Sequence, residues 1–330
     1  MFSINYSQFF CMKKPFVMLV FLLLFFVVKG QDEKKQNLSR KITTPSVVVL
    51  GNVQDGGSPH IGCTKAWCKD LFLHPDPDRM VSPLGVIDPE NNLKWIFDAT
   101  PDFPRQIKML KQYASFSNKE VPDGIFITHA HIGHYAGLMF LGREAMGSKN
   151  VPVYAMPQMR PFLTQNGPWS QLVTLNNISI KPIEDGQVNV LSSNIKVTAF
   201  KVPHRDEFSE TVGFTIEGPN KKLLFIPDID KWSKWKKNIA EEISKVDYAF
   251  IDATFYDSAE INNRLISEIP HPFVIESMEL FKGFSKKEKD KIFFIHINHT
   301  NPLLNSDSAQ TKEVLKNGFH IARTGQVVEL

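Results

Sequence analysis

From residue 46 onward the chain alternates short apolar runs with longer amphipathic stretches. Ser46-Val47-Val48-Val49-Leu50 has the length and β-branched content of a strand, and it feeds the glycine-rich stretch 51–58. Trp95-Ile96-Phe97 predicts another strand, ending at Asp98-Ala99-Thr100-Pro101-Asp102. Asp102 or Thr100 is placed to cap a helix from 103 to about 116. Gly124-Ile125-Phe126-Ile127, after the turn pair Pro122-Asp123, is a buried strand, and the apolar tail 135–141 starts a helix. Strand 151–155 and helix 156–165 continue the alternation. From 178 to 226 successive strands take over, at 195–201, 212–216 and 222–226. Strand 248–252, helix 276–281, buried strand 291–297 and helix 308–316 complete the set. No Pro/Gly/Ser-rich linker divides the two halves, so the pattern predicts one α/β domain over 44–330, with two sheets and helices outside them.

The apolar run 16–28 stands apart from this rhythm. Met12-Lys13-Lys14-Pro15 precedes it, and Lys29-Gly30-Gln31 and a polar stretch follow. A positive start and an apolar run shorter than the ~20 residues of a spanning helix predict a secretory signal peptide over residues 1–30. Met12 can serve as the start and cleavage falls near Gly30; an uncleaved anchor is the alternative. Residues 31–43 read as a polar linker. The mature chain is expected to be exported, to a bacterial periplasm or an equivalent compartment, with no membrane span left after cleavage. Removing the leader changes the charge. The formal +3 comes from Lys13, Lys14 and Lys29; beyond them 35 basic residues face 35 acidic ones. That balance gives no case for nucleic acid or an anionic membrane as a partner, and leaves a small-molecule substrate. The basic and aromatic run 231–237 reads as the solvated face of an amphipathic helix, with a substrate rim as the alternative. Hydrophobic residues make up 42% of the chain, an ordinary globular share. Of the cysteines, Cys63 and Cys68 follow the leader; they form a disulfide, clip a metal ion or stay as free thiols.

Candidate chemistry centres on Thr128-His129-Ala130-His131-Ile132-Gly133-His134. Three imidazoles within six residues, on a loop between strand and helix, are costly as packing residues and well suited as metal ligands. Further candidates follow predicted strands: His204 after Lys201-Val202-Pro203, Asp228 after Phe225-Ile226-Pro227, and His296 after Phe293-Phe294-Ile295, with His271 between Pro270 and Pro272. Each is weak alone; together they are ordered ligands at strand ends.

These residues resemble the signature of the metallo-β-lactamase-fold superfamily: HxHxDH, then a His, a bridging Asp and a last His, each after a strand. Val202-Pro203-His204 followed by Ser209 and Gly213-Phe214 matches the third motif, and Asp228 and His296 match the next two. The resemblance covers about 46–330 and implies an αββα sandwich. Within the superfamily the chain is most similar to the pyrroloquinoline-quinone biosynthesis protein B group. That likeness is carried by Gly56-Gly57-Ser58-Pro59 with Cys63 and Cys68, by 98–102, by Ile251-Asp252-Ala253-Thr254, and by the run from His296 to Leu304. The chain departs from the group in holding the full histidine set, in having Lys65 where a further cysteine is expected, and in carrying a leader.

The resemblance implies a first metal held by His129, His131 and His204, and a second held by His134, His296 and the family's Asp, with Asp228 between them. In this chain that Asp is Gly133. The second site is then either weaker or completed by a water or another carboxylate, for which Asp55 and Asp230 are candidates. Two divalent ions are expected, zinc first, with manganese or iron as alternatives. Such a centre turns water into hydroxide that attacks a carbonyl or phosphoryl group. By similarity to phosphodiesterase-type members, His271 meets a substrate oxyanion or protonates a leaving group, which makes Asp228 and His271 the catalytic candidates. The plain alternative for His271 is a loop residue fixed by its prolines. The same members imply a structural zinc at Cys63, Cys68 and His299, with His60 nearby. The expected function is an exported metal-dependent hydrolase of an ester, phosphodiester or lactone-like bond. Rivals are a role in pyrroloquinoline quinone biosynthesis by iron-dependent oxidation, and a non-catalytic metal-binding protein.

Overall fold

A computed structural model describes residues 42–205, 207–261 and 268–330. The expected leader, and all of the linker before Ile42, lie outside them. Ile42–Leu330 forms one compact unit. No helix among the described residues is long and apolar enough to cross a membrane.

The first sheet is built from β1 (Ser46–Val49), β2 (Leu84–Asp88), β3 (Leu93–Phe97), β4 (Gly124–Phe126), β5 (Val151–Ala155) and β6 (Ile178–Pro182), closed on the β1 edge by β14 (Val327–Glu329). Its order is β14-β1-β2-β3-β4-β5-β6, antiparallel up to β3 and parallel from β3 to β6. The second holds β7 (Val188–Val190), β8 (Lys196–Lys201), β9 (Val212–Glu217), β10 (Lys222–Ile226), β11 (Tyr248–Asp252), β12 (Ile292–Ile295) and β13 (His320–Ile321), in order β13 to β7. Here β7 to β10 are antiparallel and β10 to β13 parallel.

Strand periodicity explains why the sheets stack. Along β10, Leu223 and Phe225 enter the core between the sheets, whereas Leu224 and Ile226 enter the core under the outer helices. In β12, Phe293 and Ile295 split from Ile292 and Phe294 in the same way. Strands buried on both faces need an apolar residue at every position, which is why they read as unbroken runs. Between the sheets, Phe214 of β9 packs edge-on against Phe97 of β3 and Phe126 of β4, at 5.1 and 5.7 Å. Helices Ile239–Ser244, Val274–Leu280 and Ala309–Lys316 bring Ile239, Ile243, Val274 and Val314 to the outer face of the second sheet. This is the αββα sandwich the resemblance implies.

Several local expectations need correction. The helix after Asp102 spans Phe103–Tyr113, and Asp102 does not cap it with its side chain, since its Oδ2 accepts from Val81 N; Thr100 Oγ1 instead accepts from Asp102 N just before the helix and donates to Gln106 Oε1. The run 231–237 is not a solvated helix face. It holds one 3₁₀ turn, Trp232–Lys234, and its indoles turn inward, Trp232 Nε1 donating to Ser277 Oγ and Trp235 Nε1 to Lys201 O. Their N–H groups find partners only there, which overrides the helical charge pattern.

Candidate metal centre

The centre lies at strand ends, mostly those of the parallel strands, with antiparallel β8 adding one. Asp98 follows β3, Thr128 and His129 follow β4, His204 follows β8, Asp228 follows β10, Asp252 closes β11 and His296 follows β12. Asp98 and His296 hold left-handed backbone, with φ 77° and 62°. Such conformations cost roughly 1–2 kcal/mol each, and persist where surrounding structure fixes them. The histidine loop is braced from the second sheet: Ala130 N donates to Ser209 Oγ, and Val212 N to Thr128 O.

One group consists of His129, His131, His204 and Asp228, with one ligand atom from each within 4.8 Å of the others. His129 Nε2 is 2.8 Å from His131 Nδ1 and 3.4 Å from Asp228 Oδ2; His204 Nε2 is 3.2 Å from Asp228 Oδ1. A second group consists of Asp55, His134, Asp228 and His296. Asp55 Oδ1 lies 2.8 Å from His134 Nε2 and 3.0 Å from His296 Nε2. Asp228 Oδ2 reaches the same nitrogens at 3.7 and 3.9 Å, so Asp228 belongs to both groups.

The rings are aimed by their far nitrogens. His129 Nδ1 is 2.9 Å from Thr128 Oγ1, His134 Nδ1 is 2.7 Å from Asp98 Oδ2, and His296 Nδ1 is 3.0 Å from Thr254 Oγ1. This leaves each Nε2 pointing into the cluster, the arrangement that outer partners impose on metal-binding imidazoles. His134 Nε2 and Asp228 Oδ1 are buried without a well-formed hydrogen bond, although polar atoms surround them. Buried polar atoms are rarely left so, and convergent imidazole and carboxylate lone pairs suit a cation. The donor set therefore fits divalent metal.

Electrostatics divide the two groups. Burial pulls the His129 ring well below the ordinary imidazole range, and neighbouring His134 adds to this; burial also lowers His131. Burial acts on His134 and His296 too, but carboxylates outweigh it. Asp55 and Asp98 hold His134 well above its usual range, and Asp228 and Asp55 raise His296. Asp55 itself is held well below its usual range: burial opposes this, but His134 and His296 prevail.

His271 stands beside the pair of groups. Its Nδ1 is 2.9 Å from Asp252 Oδ2 and 3.2 Å from Asp228 Oδ1. Burial opposes protonation of this ring, yet Asp252 and Asp228 raise it. It lines a cleft of about 540 Å³ together with Asp55, His131, His204, Arg205 and Phe255. Asp230 is apart from both groups and pairs with Lys234 Nζ at 2.7 Å. Cys63 and Cys68 are joined in a disulfide, Cα to Cα 6.0 Å. His299 Nδ1 is 3.9 Å from Cys68 Sγ, and its ring stacks on His60 at 3.8 Å. The sulfurs thus bond to each other, the disulfide among the readings of this pair.

Sequence reasoning placed the five clustered histidines and Asp228 together. It assigned no role to Asp98, Thr128, Asp252 or Thr254, the groups that orient the rings. The signals they did give were position, with Asp98 and Asp252 at the ends of apolar runs, and membership of the segments that carry the family likeness.

Comparison with known proteins agrees with the geometry. The family model described as beta-lactamase superfamily domain matches residues 94–297. Coenzyme PQQ synthesis protein B of Methylorubrum extorquens (strain PA1) is 24% identical over 309 residues, covering 86% of this chain and 99% of that protein. The crystal structure of Zn(2+)-bound PqqB from Methylobacterium extorquens superposes with a TM-score of 0.69 at 22% identity, over 86% of this chain and 100% of the other. A diphosphatase from the PhnP family superposes with a TM-score of 0.61 at 21% identity, over 87% and 98%.

Proposed function

The chain belongs to the beta-lactamase superfamily, and from that premise we propose that it is an exported metal-dependent hydrolase acting on an ester, phosphodiester or lactone-like bond. The observation that carries the reading is the convergence of His129, His131, His204, His134 and His296 on the single carboxylate of Asp228. Two divalent ions, zinc first, are proposed, one at His129, His131 and His204, the other at His134 and His296, with Asp228 between. Bound there, they would polarise a carbonyl or phosphoryl oxygen and bring the pKa of water near neutrality.

The chain's own groups supply the rest. Asp252 fixes the His271 ring facing the cleft, where its other nitrogen can hand a proton to a leaving group. Arg205 puts a guanidinium on the cleft, with Nη2 3.2 Å from His131 Nε2 and Nε 3.1 Å from Glu207 Oε1, so an anionic substrate group would compete with Glu207 for it. Phe255 offers an apolar wall. Export is supported by Lys13, Lys14 and the apolar run after them, and by the disulfide, which suits an oxidising compartment.

The test is a screen of generic phosphodiester, carboxylic ester, lactone and β-lactam substrates with zinc or manganese, running His129→Ala and His134→Ala beside the wild type. Turnover that both substitutions abolish is expected; full turnover in both variants would sink the reading.

A second reading comes from the relatives named coenzyme PQQ synthesis protein B, which match along nearly their whole length. It would make this chain a participant in quinone-cofactor biosynthesis with iron at the centre. Oxygen consumption by the iron-loaded protein, without hydrolysis of any generic substrate, would favour it.

A further inference from the structure

Gly133 stands where the superfamily pattern has an anionic ligand. A Cβ on Gly133 would lie 2.5 Å from Cα of Asp55, 2.6 Å from its Cβ and 2.7 Å from its Cγ. No side chain fits at 133 while the loop of Asp55 occupies that space, so the close approach itself requires glycine. A carboxylate arrives from the 51–58 loop instead, with Oδ1 2.8 Å from His134 Nε2 and 3.0 Å from His296 Nε2.

The loop is held there by its backbone. Gln54 N donates to Ile297 O at 3.0 Å, and Ile297 N donates to Asn52 O at 2.8 Å. Val53 pairs with both Val81 and Ile297. Gly57 N closes the turn on Gln54 O. Ile297 directly follows His296, so the same backbone pairing fixes one imidazole and the carboxylate that faces it. The side chain of Asp55 is 16% exposed, against 2% for Asp228, so it reaches the cleft while touching buried nitrogens. Asp230, the other acid within sequence reach, is committed to Lys234 Nζ and the amide of Lys231.

We propose that Asp55 is the anionic ligand of the second ion, supplied by the first glycine-rich loop in place of the HxHxDH aspartate, with Gly133 as its obligate structural counterpart. This rests on the two-ion reading above. Because that loop also walls the cleft, the second ion and the substrate pocket share one segment of chain.

The experiment is zinc binding to wild type, Asp55→Ala and Asp55→Asn, read as equivalents retained after dialysis and as affinities from chelator competition. The asparagine keeps the side-chain shape, so the question stays answerable if the alanine variant does not fold. The wild type is expected to hold two equivalents. Both variants should keep one at wild-type affinity and bind the second at least about 10²-fold more weakly, since outer partners alone cost 10–100-fold. Two equivalents at wild-type affinity in Asp55→Asn would overturn the assignment of Asp55 and leave the two-ion reading standing. A wild type that binds no zinc, manganese or iron would overturn both. Gly133→Asp, which retains Asp55, should melt at a lower temperature and gain no ion; a variant as stable as wild type would contradict the collision at this position.

Discussion

The two halves of the centre share Asp228 but are built differently. His129, His131 and His204 come from the histidine loop and one strand end, and burial keeps the first two rings neutral. His134 and His296 face a third residue, Asp55, which is 241 positions from His296, and its carboxylate helps raise both rings above the ordinary imidazole range. The first half is prepared for an ion by desolvation. The second is prepared by a charge brought from elsewhere in the chain. The same buried floor can therefore carry two sites with different proton demands.

The comparison breaks most directly at the shared residue. Asp228→Asn keeps the shape but removes the negative charge from both halves. Turnover should fall about 10³-fold or more, equivalent to about 4 kcal/mol of transition-state stabilisation, and both zinc affinities should weaken. A loss confined to one ion would show that Asp228 does not join them. His271→Ala separates metal holding from proton transfer. We expect kcat to fall about 10²-fold with zinc content unchanged, checked by metal analysis of the assayed protein.

A third outcome concerns pH. Raised imidazoles keep their protons to higher pH than an ordinary histidine, and an incoming ion must displace the protons they carry, so affinity at the His134/His296 half should fall as pH drops through their raised values. Rings held below the ordinary range are already neutral, so the His129/His131 half should change little over the same window. Chelator competition between about pH 6 and 8 should show one zinc affinity rising steeply and the other nearly flat. In metal-free protein the raised pair also contributes stability that is full below the unfolded value of ~6.5 and is lost as pH rises through the folded values. The smallest effect is expected away from the centre. Cys63→Ser opens the disulfide and should cost about 2 kcal/mol of unfolding free energy for so short a loop, leaving zinc stoichiometry unchanged. Loss of one zinc equivalent would instead assign that pair to a metal.

Legibility followed the physics of each feature. Doubly buried strands such as β10 and β11 were read to the residue because their interior is an unbroken apolar run, bounded by Lys222 in β10 and by Asp252 in β11. β2, with Gly85 second among its five residues, and β13, only two residues long, left no such signal. The histidines were legible because three imidazoles in one loop have few other uses. Gly133 was visible as a gap in the pattern, but its cause was not. The answer depends on a backbone pairing between Asn52, Gln54 and Ile297, and a single sequence holds no record of which distant segments touch. Asp98 and Asp252 stood out as strand-end acids and as part of the family likeness, but not as ring-orienting groups, because their partners His134 and His271 sit on a helix and a loop well separated from them in sequence.

Convergence on Asp228 is proposed to make a metal-dependent hydrolytic centre. It is tested most directly by stripping the protein with chelator, assaying a substrate turned over by the wild type, and restoring zinc in steps. The account predicts that turnover vanishes with the metal and returns as the second equivalent is added. Full turnover by the stripped protein would contradict it.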